Sequence, residues 1–198
     1  MKTPTVCIVD DDEAVRDSIA ELVGSIGLQA ATFRSGQEFL DGYDPERPGC
    51  LVLDVRMAHM SGPALQEKLI AMGAAIPIVF ISGHGDIPVA IKTIKAGAVD
   101  FVQKPYRDQQ LLDSINDALQ RDATARAAAT SSDRFTQRLT TLTEREQEVL
   151  KLVVKGLSSK VIAKSLGISY RTVEVHRSHI LEKLDVRSVP ELIHLASQ

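Results

Sequence analysis

Four short apolar runs in the first half of this chain each end on a residue able to take part in phosphoryl or metal chemistry. Thr5-Val-Cys-Ile-Val9 leads into Asp10-Asp11, and Cys50-Leu-Val-Leu53 into Asp54. Ile78-Val-Phe-Ile81 leads into Ser82, and Asp100-Phe-Val-Gln103 into Lys104-Pro105. Carboxylates brought close together repel, and a hard divalent cation with oxygen ligands, Mg²⁺ above all, relieves that repulsion. Asp10 and Asp11 would hold the ion. Asp54, alone at the end of its run, is then a candidate nucleophile, because a carboxylate can accept a phosphoryl group as an acyl phosphate. Lys104 and Ser82 would bring positive charge and a hydrogen bond to the phosphoryl oxygens.

For these groups to meet, the runs must be parallel strands, since ligands in open α/β sheets bind outside the carboxyl ends of the strands. Strand patterns near 5–9, 29–33, 50–54, 77–82 and 100–103 alternate with helical patterns near 14–26, 35–41, 62–72, 86–96 and 107–120. That alternation predicts right-handed βαβ crossovers and a five-stranded, doubly wound parallel sheet of flavodoxin-like α/β type.

Val9-Asp-Asp-Asp-Glu-Ala-Val-Arg16, Leu51-Val-Leu-Asp-Val-Arg-Met57, Phe80-Ile-Ser-Gly-His-Gly-Asp86 and Ala96-Gly-Ala-Val-Asp-Phe-Val-Gln-Lys-Pro105 resemble, in order, the receiver domain of two-component response regulators, in particular the FixJ-like group. The resemblance implies that Asp54 is the phosphoacceptor and that Mg²⁺ is held by Asp10, Asp11, Asp54 and the backbone carbonyl of Arg56. It further implies that Ser82 and Phe101 are the switch pair, that Lys104 contacts the phosphoryl group, and that the Lys104-Pro105 bond is cis. Two positions depart from the family pattern. Ala58 stands where a Pro is usual, and Tyr106 where Phe is more frequent.

From about 121 to 138 the chain turns small and polar, Arg121-Asp-Ala-Thr-Ala-Arg-Ala-Ala-Ala-Thr-Ser-Ser-Asp133, which reads as a linker between a first domain of 1–120 and a second of 139–198. Its alanines favour helix, so the preceding helix can run on into it. Beyond the linker the pattern is helical only, giving an all-α four-helix domain. Thr143-Glu-Arg-Glu146 has capping-box spacing; further helices begin at Ser158 and Ser169, and a fourth runs from Ser188 to Ser197. Leu142-Thr-Glu-Arg-Glu-Gln-Glu-Val-Leu150, Lys160-Val-Ile-Ala163 and Leu166-Gly-Ile-Ser-Tyr-Arg-Thr-Val-Glu-Val-His-Arg177 resemble the LuxR/FixJ-type helix-turn-helix domain. On the third helix Val173 and Ile180 have core spacing. Tyr170, Arg171, Thr172, His176 and Arg177 are expected to face DNA, with Ser159 and Lys160 near phosphate at a helix N-terminus.

Charge is divided between the halves. Residues 1–120 carry 10 Lys and Arg against 17 Asp and Glu, and residues 121–198 carry 13 against 9. An acidic half and a basic half suit a metal or phosphate site joined to a module for a polyanion. Cys7 and Cys50 lie in or beside core strands and read as reduced core thiols. His59 and His84 read as exposed loop histidines, and the His176/His179 pair lacks further ligands for a metal. No apolar run approaches the ~18 residues of a membrane span and no leader pattern opens the chain, so the expectation is a cytoplasmic protein without a membrane partner.

The expected function is a phosphorylation-dependent transcription regulator, not an enzyme with an external substrate. Its partners would be a sensor histidine kinase, double-stranded promoter DNA, RNA polymerase and, on phosphorylation, a second copy of the chain. Two other classes stay open at this point. Asp10-x-Asp12 has the spacing of nucleophile and acid in haloacid-dehalogenase-like phosphatases, and a helical second domain can serve an RNA- or protein-binding adaptor.

Overall fold

The computed structural model describes residues 3–83 and 87–196. They divide into two compact units, residues 1–125 and 126–198. In the first, β1 (Thr5–Val9), β2 (Gln29–Phe33), β3 (Gly49–Asp54), β4 (Ile78–Ser82) and β5 (Asp100–Gln103) form one sheet in the order β2-β1-β3-β4-β5, and every pairing is parallel. The order reverses between β1 and β3, and at such a switch point the crossovers leave to opposite faces and open a crevice at the carboxyl ends.

β1, β3 and β4 are buried along their whole length, as their unbroken apolar runs require. One face of the sheet packs Ile8, Val52 and Ile81 against Ile19 and Val23 of α1 (Glu13–Ser25) and Leu111 and Ile115 of α5 (Asp108–Leu139). The other packs Leu51, Leu53 and Phe80 against Phe39 of α2 (Gly36–Gly42) and Leu65 and Leu69 of α3 (Gly62–Ala71). Each such aliphatic side chain contributes roughly 1.5–3 kcal/mol on burial. α4 (Ile87–Lys95) follows β4. Cys7 and Cys50 are free and buried, and burial pushes the Cys7 thiol up to about 11, so it is an inert core group.

The second unit is built from α6 (Glu144–Val154), α7 (Ser159–Leu166), α8 (Tyr170–Leu184) and α9 (Val189–Ala196) around Val149, Val153, Ile162, Val173, Ile180 and Leu192. The expected capping box is present: Glu146 accepts from the Thr143 N–H at 2.8 Å, and Thr143 Oγ1 accepts from the Glu146 N–H at 3.3 Å. Gly167 ends α7 at φ 65°, a left-handed conformation that glycine adopts without steric cost, and so makes the tight turn into α8.

The segment read as a linker is different from a plain tether. α5 is 32 residues long and continuous through it. Within the first unit Asp122 is buried and accepts from the Gly49 N–H at 2.9 Å; within the second, Phe135 is in the core and Arg138 donates to the Leu184 carbonyl at the end of α8.

Candidate functional site

The carboxyl ends of β1, β3 and β5 bring Asp10, Asp54 and Lys104 into contact. Lys104 Nζ donates to Asp10 Oδ2 at 2.9 Å and to Asp54 Oδ1 at 2.8 Å. Asp10 and Asp54 are only 2% and 6% exposed, so one ammonium balances two nearly dry carboxylates. The other oxygens are also engaged: Asp54 Oδ2 accepts from the Arg56 N–H at 2.7 Å, and Asp10 Oδ1 from the Asp12 N–H at 2.9 Å. Arg16, which sequence reasoning passed over, donates to the Asp10 carbonyl.

Burial pushes the Asp54 carboxyl above the usual carboxylate range; Lys104 opposes this, while the Asp10 charge adds to it. Burial works against the Lys104 charge too, but its hydrogen bonds to Asp54 and Asp10 prevail and hold the ammonium above the usual lysine range. A simple ion pair would lower its acid. Here two acids share one base and lose water, which is why Asp54 moves up.

Asp11 does not join this pair in the described arrangement. It is exposed and accepts from the Ala58 N–H at 2.8 Å, closing the loop after β3 where the family pattern has proline. Among the described residues no three acidic, histidine or cysteine side chains converge tightly enough to hold a metal ion. The donor set nonetheless suits Mg²⁺, since Asp10, Asp11, Asp54 and the Arg56 carbonyl offer oxygen atoms alone. Gly62 lets α3 start close against this loop: a Cβ there would lie 2.3 Å from the Asp54 carbonyl oxygen.

Ser82 is 1% exposed at the end of β4, and its carbonyl accepts from the Lys104 N–H at 2.7 Å. Phe101 is half-buried and stacks on Phe80 with ring centroids 6.4 Å apart. The Lys104-Pro105 bond is cis. Tyr106 is half-buried against the first core. Asp12 caps α1 by accepting from the Ala14 N–H. His59 is exposed with φ 67°, and His84 lies outside the described residues.

In the second unit Lys160, Tyr170, Arg171 and Thr172 are exposed, while Val173 and Ile180 are buried as their spacing predicts. Three expected DNA contacts sit differently. Ser159 is buried and accepts from Arg177 Nη1 at 2.5 Å; Arg177 is drawn inward with it. His176 is half-buried, and its Nδ1 has no hydrogen-bond partner. The physical reason is helical phase: positions 176 and 177 are three and four residues after the core position 173 and flank the inward face. The outward stripe is Arg171, Glu174, Val175 and Ser178, with Val175 46% exposed. The exposure of Glu174, Val175 and Ser178 follows from their spacing from the buried Val173.

α8 is held at its far end by a buried acid. Glu146 accepts from Lys183 Nζ at 2.6 Å as well as from Thr143. Burial alone would raise its carboxyl, but the hydrogen bonds from Lys183 and Thr143 lower it to about 2. No helix among the described residues is long and apolar enough to cross a membrane.

Two family models match: response regulator receiver domain over residues 6–116, and bacterial regulatory proteins, luxR family, over residues 140–196. The transcriptional regulatory protein TdiR of Thauera aromatica is 46% identical over 190 residues, 96% of this chain and 84% of TdiR. The transcriptional regulatory protein FixJ of Rhizobium meliloti is 42% identical, across 97% of this chain and 94% of FixJ. A low-resolution structure of the response regulator StyR superposes with a TM-score of 0.82 at 48% identity, covering 98% of both chains.

Proposed function

This chain belongs to the response regulators that join a receiver domain to a luxR-family DNA-binding domain, and from that premise we propose that Asp54 is the phosphoacceptor through which it controls transcription. The observation that carries the proposal is the Lys104 bridge between Asp54 and Asp10 at the switch point of the sheet.

A sensor histidine kinase presents a phosphohistidine. An Asp54 oxygen attacks phosphorus, the P–N bond breaks as the P–O bond forms, and the imidazole nitrogen keeps the electron pair. Lys104 turns from the carboxylates to a phosphoryl oxygen, and Ser82, one strand over, donates to another. Asp10, Asp11, Asp54 and the Arg56 carbonyl would hold Mg²⁺, which would supply positive charge against the charge on the phosphoryl oxygens. Phe101 follows Ser82 inward, and the face around α4 and β5 changes.

The outcome is a dimer that sets two helix-turn-helix units on paired promoter half-sites and engages RNA polymerase in the cytoplasm. Lys160, Tyr170, Arg171 and Thr172 meet the duplex first, with His176 at the margin; they are the exposed part of the expected set. Along the sequence the receiver takes 1–120 and the DNA-binding domain 139–198, each completed by side chains of α5 from between these bounds, and no external substrate is turned over.

Light scattering with beryllium fluoride and Mg²⁺, an acyl-phosphate mimic, tests this in wild type and Asp54→Asn. A doubled mass only in wild type is the expected result. Calorimetric binding without a mass change moves the switch to release of the DNA-binding unit within a monomer. Equal binding of the mimic by Asp54→Asn removes Asp54 from the site.

A further inference from the structure

We propose that Arg177 is a positioning residue: through Ser159 it braces α8 against the start of α7, in place of contacting DNA phosphate. The inference rests on the DNA-binding reading and assigns this arginine a different task within it.

Arg177 follows Val173 by four residues and precedes Ile180 by three, and both of those are core residues, 0% and 1% exposed. Residues at these spacings share one side of a helix, so the Arg177 side chain leaves α8 beside the core, at the edge of the outward stripe, where it reaches Ser159 and passes Glu174. Its Nη1 donates to Ser159 Oγ at 2.5 Å. Ser159 is 6% exposed and is the first residue of α7; the arginine side chain itself is 25% exposed.

Charge points the same way. A guanidinium at a helix N-terminus faces the positive end of the dipole, so attraction to α7 as a whole does not hold it there. The hydrogen bond to Ser159 does, and Glu174 Oε1, 3.9 Å from Nη1 on the same helix, offsets the charge. An arginine balanced in this way has less to offer a phosphate. The N-cap residue Ser158 makes no side-chain capping bond, and the Arg177–Ser159 bond ties the start of α7 to α8. α7 and α8 enter DNA as one unit, and their mutual angle decides where the outward stripe meets the base edges.

The test uses the full chain and a duplex that the wild type enriches from a randomised pool. Affinity is measured across a range of salt for Arg177→Ala, Arg177→Lys, Ser159→Ala and the double alanine variant, with melting curves as the folding control. The brace predicts that each single variant binds about tenfold more weakly, the loss of one buried hydrogen bond to a charged group. It also predicts an unchanged slope of log affinity against log salt, no restoration by lysine, and a double variant no weaker than the singles. A phosphate contact predicts the opposite: a slope reduced by about 0.9, rescue by Arg177→Lys, and losses that add, any of which overturns the proposal. Should Arg177→Ala fail to melt cooperatively, Arg177→Lys and Ser159→Ala still decide between the two. A pool that never enriches counts against DNA recognition itself and takes the brace with it.

Discussion

The end of the sheet and the outer face of α8 solve opposite problems. At the sheet, Asp10 and Asp54 are 2% and 6% exposed and both are already hydrogen-bonded to Lys104. On α8, Tyr170 and Val175 are 53% and 46% exposed and Arg171 stands in solvent. The first is a closed balance of charge, in which removing any member leaves another stranded in a dry place. The second is an open surface, where a side chain can be exchanged with little effect on the fold. Sensitivity to a covalent charge belongs to the first kind of site, and readout of a large polyanion to the second.

The contrast breaks most visibly if Lys104→Met is harmless. Removing the shared cation leaves two buried carboxylates facing each other, so the first unit should lose about 3–5 kcal/mol. The sign with pH follows: burial already holds the Asp54 carboxyl up and Lys104 opposes it, so without Lys104 proton uptake by Asp54 relieves the repulsion and the deficit in urea unfolding should shrink as pH falls. Wild-type stability at neutral pH would mean that the balance is not made by Lys104.

Glu146 sharpens the comparison, because it is a closed site inside the open unit. Glu146→Gln should cost the second unit about 1–3 kcal/mol. Its folded carboxyl lies near 2 against an ordinary 4.5, so its contribution is present above about pH 4.5 and is lost as pH falls towards 2. Unfolding followed through that window should show the loss in wild type and lack it in Glu146→Gln.

The smallest effect is expected at Arg171. Arg171→Ala should leave stability within about 0.5 kcal/mol while lowering the salt slope of DNA binding by about 0.9. A change in melting without a change in slope would show that α8 is not an open surface at this position.

What could be read from the sequence follows the same division. Apolar runs ending in Asp10, Asp54, Ser82 and Lys104 marked the crevice, since strand ends and chemistry coincide in a parallel sheet. Strand limits came within a residue at each end, for the exposed β2 as well as for the buried β1, β3 and β4. The surface of α8 was harder. Expected contacts were chosen by residue type and by place at a helix N-terminus, and neither gives the burial of Ser159 or its bond with Arg177, which follow from helical phase. The contact of Asp11 with the Ala58 N–H could not be read from the sequence, because it joins the end of β1 to a loop 47 residues further along the chain. Asp122 and Phe135 were hidden in a run of small polar residues, because a single buried side chain produces no periodicity.

The long α5 bears on where this chain can be cut. A fragment ending at residue 120 leaves behind Asp122 and exposes the Gly49 N–H that it satisfies. One beginning at residue 139 leaves behind Phe135, a core side chain, and Arg138, which closes the last turn of α8. The boundaries that composition suggests therefore amputate both halves, and either piece studied alone keeps its native interior only if it carries its own share of this helix.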